Sequence, residues 1–207
     1  MSQLFITVFT EVQAAAHKNS RDKGFWETER NMGESIALVH SEISEMWDGF
    51  TEYNPPSTKI PEFSQVEEEA ADVVIRLFDM AGGAEWRLAE AIVAMVPFKD
   101  NAIKLHDVPF LDVCAALIDA TSAVELDTGD SDAERVVRLH AEMSRMLEAV
   151  RHKNPPSEKL TGFSQCEEHA ARVVAMLFVD DDGGLAKAIL AKMAYNATRP
   201  HKHGKTF

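Results

Sequence analysis

The chain repeats itself at an offset of 100 residues, and this repeat constrains its fold more than any other feature. The repeated segments are His40–Ser44 with His140–Ser144, Asn54–Ser57 with Asn154–Ser157, and Phe63–Gln65 with Phe163–Gln165. Identities at one constant offset indicate two tandem copies of a single structural unit. We therefore predict a first copy over residues 1–103 and a second copy over residues 104–207.

Apolar residues in each copy have the spacing of amphipathic helices. In the first copy they recur every three or four residues, at Ile36, Val39, Ile43, Met46 and Phe50, which predicts one buried helical stripe. No alternating pattern of useful length indicates a strand. The sequence therefore predicts an all-α fold, in which two tandem four-helix units pack as a pseudo-dimeric helical bundle.

Capping residues and helix-breaking residues give the approximate bounds of these helices. Asn31 with Glu34 and Ser64 with Glu67 have the spacing of capping boxes at helix N-termini. In the first copy we expect helices over about residues 4–18, 31–50 and 64–82 and a short one ending near 96. In the second copy we expect them over about residues 110–126, 131–151, 164–180 and 185–196.

Four acidic residues of the first copy are predicted to converge. Glu42 and Glu45 share one helix face and Glu69 and Asp72 share another, because residues three apart on a helix point the same way. The two pairs lie at matching distances from the connecting loop, so antiparallel helices would bring them together. A divalent cation would relieve the mutual repulsion, and an all-carboxylate set suits Mg²⁺, or alternatively Mn²⁺. The alternative interpretation is a solvated acidic face.

The second copy has lost most of these acids. Arg145, His169 and Arg172 replace three of them, and only Glu142 remains. This contrast favours one metal-binding copy and one that has abandoned metal, although drift on a solvated surface would leave the same pattern.

Only the second copy continues into a basic tail, from Lys192 to Lys205. Lys192 and Asn196 are four residues apart and share a helix face. Arg199 and Lys205 are long enough to reach phosphate oxygens. The four acids lie in the first copy and the basic tail lies in the second, which predicts a composite site shared between the copies. The alternative interpretation is that the tail is a solvated terminus.

Several motifs, in this order and spacing, resemble the MazG-type all-α nucleoside triphosphate pyrophosphohydrolases. They are Glu42-x-x-Glu45, the Pro-Pro-Ser-x-Lys loop at 55–59, Glu68-Glu69-Ala70-Ala71-Asp72, the lead-in Lys23-Gly24-Phe25-Trp26, and the ending that starts at Lys192 and closes with His203-Gly204-Lys205. The likeness covers most of the chain, although in the middle of the second copy it is limited to the scaffold. Ser41 stands where many members of the family have another acid.

The resemblance implies Mg²⁺-dependent hydrolysis of a nucleoside triphosphate to the monophosphate and pyrophosphate, acting in nucleotide-pool control. The metal ligands implied are Glu42, Glu45, Glu69 and Asp72, with Glu45 or Glu69 as the catalytic residue that activates water. The substrate-binding residues expected are Lys23, Trp26, Lys192, Asn196, Arg199 and Lys205, with Phe25 and Trp47 as further candidates for stacking on the base. Family members are dimers or tetramers of one unit, so this chain resembles a fused dimer, and further pairing into a homodimer stays open.

Two other functions stay open: a catalytically inactive nucleotide-binding or interaction module, and a phosphoribosyl-nucleotide pyrophosphohydrolase. A net charge of −13 argues against a nucleic-acid polymer as a partner. No apolar run is long enough to span a membrane. Two cysteines cannot form a disulfide framework, and we expect a cytoplasmic protein.

Overall fold

A computed structural model describes residues 2–98, 106–124, 126, 128–129, 131–179 and 181–204. The regular elements in these residues are eight α-helices and one short 3₁₀ helix, which confirms the predicted all-α class. The helices are α1 (Ser2–Asp22), α2 (Met32–Thr51), α3 (Gln65–Gly83), α4 (Leu88–Met95), α5 (Pro109–Thr121), α6 (Asp132–Arg151), α7 (Gln165–Phe178) and α8 (Gly184–Thr198), and the 3₁₀ helix is His201–Gly204.

Polar caps begin the central helices where the sequence predicts them. The side chain of Asn31 accepts hydrogen bonds from the backbone amides of Gly33 and Glu34 at the start of α2. Ser64 caps α3 in a complete capping box with Glu67, and Ser164 does the same for α7. These bonds satisfy amide groups that have no partner within their own helix.

Helix α5 is shorter than predicted, and its expected extension to residue 126 is wrong. It ends at Thr121, and residues 122–124 form a turn and a bend. The hydroxyl groups of Thr121 and Ser122 both donate to the carbonyl oxygen of Ile118, at 2.9 Å each. Such side-chain bonds compete with the helical backbone bonds and favour termination.

The loop between the second and third helices of each copy has the same local structure. Pro56 forms an isolated antiparallel bridge with Ser64, and Pro156 forms the corresponding bridge with Ser164. The hydroxyl of Ser57 donates to the buried carboxylate of Glu68, and the equivalent pair in the second copy makes the same bond. The repeat in sequence therefore extends to equivalent hydrogen bonds.

Helices from the two copies pack against each other in one core. Helix α8 packs on α3, α4 on α7, and α2 on α6. Phe9 lies between Phe78 of the first copy and Phe110 of the second, with ring centroids 5.0 and 6.1 Å away. The predicted boundary between residues 103 and 104 lies outside the described residues. The pseudo-dimeric arrangement stays a prediction.

None of the helices in the described part of the chain combines the length and the apolar character that crossing a membrane requires.

Candidate functional site

Helices α2 and α3 bring three of the predicted metal ligands together. Glu42 from α2 and Glu69 and Asp72 from α3 each offer a carboxylate oxygen, and these oxygens lie within 4.8 Å of one another. Glu42 and Glu69 are only 5% and 4% exposed. We call these three residues the acidic cluster.

Glu45 lies outside the acidic cluster. It is exposed, and its carboxylate accepts a hydrogen bond from the hydroxyl of Ser41 at 3.3 Å. It lines the same cavity as Glu42 and Asp72. Its roles as a metal ligand and as a catalytic residue stay predictions.

Three cations of the chain pair with the acidic cluster and with the neighbouring Glu68. Arg76 Nε donates to Glu42 Oε1 at 2.6 Å. Lys192 is 1% exposed, and its Nζ donates to Asp72 at 2.5 Å and also to Glu68. The predicted phosphate-contacting lysine is therefore paired with carboxylates in this structure. Lys59 Nζ lies 2.5 Å from Glu68 Oε1, the oxygen that Lys192 also contacts, and 3.7 Å from Glu69 Oε1.

These cations leave Glu69 incompletely compensated. Its Oε2 is buried and has no hydrogen-bond partner among the residues placed in the structure. Burial raises the pKa of Glu69 to about 8, and the carboxylates of Asp72, Glu68 and Glu42 add to this effect against the attraction of Lys59. Burial also raises the pKa of Asp72, although Lys192 opposes the shift. An oxygen-seeking divalent cation fits such a set of carboxylates.

A cavity of about 200 Å³ lies over the acidic cluster and takes its walls from both copies. We call it the first cavity. The first copy lines it with carboxylates and with the guanidinium groups of Arg30 and Arg76, and the second copy adds Asn196, Arg199 and His203. The structure therefore places three of the four predicted acids, Glu42, Glu45 and Asp72, and part of the predicted basic tail at one composite cavity, and Glu69 is not part of its lining.

The C-terminal segment 199–204 reaches this cavity because it is bound to the loop that follows α1. The backbone amide of Lys202 donates to the carbonyl oxygen of Lys23 at 2.7 Å. Lys23 Nζ in turn donates to the carbonyl oxygen of Arg199 at 2.6 Å, so the predicted substrate-binding lysine holds the segment in place. Lys205 lies outside the described residues.

Asn196 is the predicted substrate-binding residue whose placement agrees most directly with that role. It is 7% exposed, it lines the first cavity, and its Oδ1 is buried with no hydrogen-bond partner in the described ranges. A buried amide oxygen of this kind is costly unless something pairs with it.

One of the three aromatic candidates for base stacking lines the first cavity, namely Phe25. Trp26 instead donates from Nε1 to Asp79 at 2.8 Å and is not part of the lining. Trp47 is 37% exposed and lies elsewhere on α2.

Asp79 organises the wall that carries Phe25, and the sequence analysis missed it. This carboxylate is 8% exposed and accepts four hydrogen bonds, each 2.8 Å long. The donors are His17, Ser20, Trp26 and Arg30. No pattern marked it, because the repeat places a valine, Val179, at the equivalent position.

The roles of Glu68 and Lys59 were also missed, but the sequence held a signal for them. Both recur in the second copy, as Glu168 and Lys159. The recurrence marks both residues as part of the shared scaffold, but the Lys59–Glu68 ion pair belongs to the first copy, and in the second Glu168 pairs with Arg172 instead.

Comparisons with protein-family models, with curated proteins and with solved structures find no significant match for this chain.

Proposed function

We propose that the protein is a Mg²⁺-dependent nucleoside triphosphate pyrophosphohydrolase that converts a (deoxy)nucleoside triphosphate to the monophosphate and pyrophosphate. The observation that carries this proposal is the buried acidic cluster at a cavity that also presents guanidinium groups. The motifs that resemble the MazG-type enzymes support the same assignment.

Glu42, Glu69 and Asp72 would hold the metal, with Mn²⁺ as an alternative to Mg²⁺. The bound ion would polarise the phosphate and lower the pKa of a water molecule. The chain's own cations complement this chemistry, since Arg76 and Arg199 line the same cavity and arginine forms strong bidentate bonds with phosphate oxygens.

Glu45 suits the role of general base better than Glu69 does. It forms no ion pair within the residues that the structure describes, and it is exposed at the wall of the first cavity. A carboxylate that is neither buried nor paired can take a proton from an attacking water molecule. Glu69, which is buried beside Glu42 and Asp72, suits the role of metal ligand.

A second candidate function is a nucleotide-binding module without catalysis. The pairing of Lys192 with Asp72 and Glu68 favours it, because the chain already supplies a cation at the acidic cluster. Hydrolysis of a phosphoribosyl-nucleotide would use the same geometry as the leading proposal and differs only in substrate.

Release of pyrophosphate from a panel of nucleoside triphosphates, deoxynucleoside triphosphates and a phosphoribosyl-nucleotide, with Mg²⁺ and with EDTA, tests these alternatives. We expect Mg²⁺-dependent release, which Glu69→Gln reduces by about 100-fold. Asp48→Asn is the matched control, because it removes an exposed carboxylate from α2 outside the cavity lining. Metal-dependent binding with no release from any substrate would replace the enzyme with the binding module.

A further inference from the structure

The second copy has a cavity at the positions that correspond to the first cavity. Its volume is about 630 Å³, within the range of sites for small ligands. We call it the second cavity. Its lining includes Glu142, Arg145, Lys159 and Arg172, which lie 100 positions after Glu42, Glu45, Lys59 and Asp72 of the first cavity.

The second cavity carries an excess of positive charge, whereas the lining of the first balances four carboxylates against four arginine and lysine side chains. Four cationic side chains line the second cavity against two carboxylates, in a chain whose net charge is −13. The cations are Arg138, Arg145, Lys159 and Arg172, and the carboxylates are Glu134 and Glu142. An excess of positive charge in a concave site attracts small anions.

The carboxylate of Glu142 is already neutralised by its own neighbours. It accepts hydrogen bonds from Arg145 Nη1 at 2.5 Å and from His169 Nδ1 at 2.8 Å, and Arg172 Nε lies 3.7 Å away. These contacts hold its pKa below the ordinary value despite burial. Glu142 therefore does not act as an unscreened negative charge against an incoming anion.

The cations of the second cavity keep donors for a ligand. Lys159 is exposed and forms no ion pair with any side chain in the described part of the chain, whereas its counterpart Lys59 is bound to Glu68. Arg145 and Arg172 each have five N–H donors, and each uses one of them in a hydrogen bond to a glutamate of the described residues. Guanidinium groups of this kind recognise phosphate oxygens in a bidentate manner.

We propose that the second cavity binds the phosphoryl groups of a small phosphorylated molecule without a divalent metal. Its cationic lining would take the phosphate oxygens directly. Among the described residues of the second copy, no three carboxylates come together as Glu42, Glu69 and Asp72 do in the first. Nothing there therefore supports phosphate binding through a bridging metal ion. Val137 and Met176 add apolar wall that a nucleoside could cover. This proposal goes beyond the hydrolase assignment and does not depend on it.

Calorimetric titration in excess EDTA tests the proposal, with inorganic pyrophosphate and ATP as the two probes. We expect both to bind the wild-type protein, and Lys159→Gln and Arg145→Gln each to weaken binding about tenfold. Lys187→Gln is the matched control, since it removes one exposed cation of α8 that lines neither cavity and should leave this metal-free binding unchanged. Lys159 is exposed and forms no ion pair with the residues that the structure places, so its variant reports on binding even if the Arg145 variant does not fold.

Four results would each overturn the proposal: absence of binding in EDTA, loss confined to Lys187→Gln, equal loss in all three variants, or no loss in the Lys159 variant. Tighter binding of ATP than of pyrophosphate would assign the site to a nucleotide, and equal binding would assign it to the phosphate groups alone.

Discussion

His40 of α2 and His140 of α6 face each other where the two copies meet, with their Nδ1 atoms 2.6 Å apart. The rings are stacked, with centroids 4.9 Å apart and planes 10° from parallel. The two residues occupy equivalent positions of the repeat, 100 residues apart. One ring can donate to the other only while at least one of these nitrogens is unprotonated.

This pair predicts a pH dependence of stability. Burial lowers the pKa of both imidazoles below the ordinary value of about 6.5, and the charge of His40 adds to the shift at His140. The unfolded chain therefore binds protons more readily than the folded chain below about pH 6.5. The stabilisation is fully present above that pH and is lost as the pH falls through the lower folded pKa values.

Urea unfolding between pH 5 and pH 8 measures this effect. The double variant His40→Phe/His140→Phe keeps two rings and removes both titrating groups, so its stability should fall less towards acidic pH than that of the wild type. His152→Gln, which changes an exposed histidine just after the end of α6, should retain the wild-type slope. Identical slopes for the double variant and the wild type would contradict the prediction.

Replacement of Lys192 by methionine should destabilise the protein in EDTA by about 3 kcal/mol, because it leaves the buried Glu68 and the half-buried Asp72 without their shared cation. Added Mg²⁺ should restore part of the loss if a divalent ion binds the acidic cluster. Thermal unfolding with and without Mg²⁺ measures both effects. Lys187→Met on the exposed face of α8 is the control and should change little. A Lys192 variant as stable as the wild type in EDTA would show that this ion pair contributes nothing net.

Replacement of Asp79 by alanine should cost about 3 kcal/mol, because it removes the acceptor shared by His17, Ser20, Trp26 and Arg30. Turnover should fall as well, since Phe25 and Arg30 line the first cavity. Denaturant unfolding and steady-state kinetics measure the two effects. Asp22→Ala, which breaks only an exposed ion pair with Lys18, should change stability by less than about 1 kcal/mol. Comparable stability losses in the two variants would argue against the Asp79 network.

Deletion of residues 199–207 should reduce turnover while leaving the fold intact. The described residues of this segment are not buried, whereas Asn196 and Lys192 of α8 remain in the shortened chain. The deletion removes Arg199 and His203 from the first cavity. Circular dichroism and pyrophosphate release are the measurements. A single Arg199→Gln variant should show part of the same loss, mainly as a higher KM, because its guanidinium is proposed to bind phosphate. Full activity after the deletion would exclude the segment from the site.

Much of the local structure could be predicted from sequence because its causes are local. The caps formed by Asn31, Ser64 and Ser164 depend on side chains that bond to amides two or three residues away. Spacing of apolar residues likewise predicted the helices. The early end of α5 was missed, because hydroxyl groups at Thr121 and Ser122 compete with helix continuation in a way that apolar spacing does not report.

The candidate site was predicted only in part. Helical spacing and a common loop suffice to bring Glu42, Glu69 and Asp72 together, because these residues lie on neighbouring helices. The role of Glu68 was missed because adjacent glutamates look alike in sequence. Both Glu68 and Glu69 are buried near Lys59, but Glu68 also meets Lys192. The contact with Lys192 depends on how α8 packs against α3, which is set by the whole core.

The amino-acid sequence was enough to predict a duplicated, all-α chain, with the four clustered acids in the first copy and the basic tail in the second. Apolar spacing and capping act over a few residues or along one helix, and repetition is a property of the sequence itself, so all three are visible in the sequence alone. Only the tertiary structure decided that Lys192 is buried against Asp72, that Asp79 holds the loop carrying Phe25, and that the second copy encloses a cationic cavity. Each of these depends on contacts between side chains far apart in sequence, and such contacts form only when the helices of both copies close around one core.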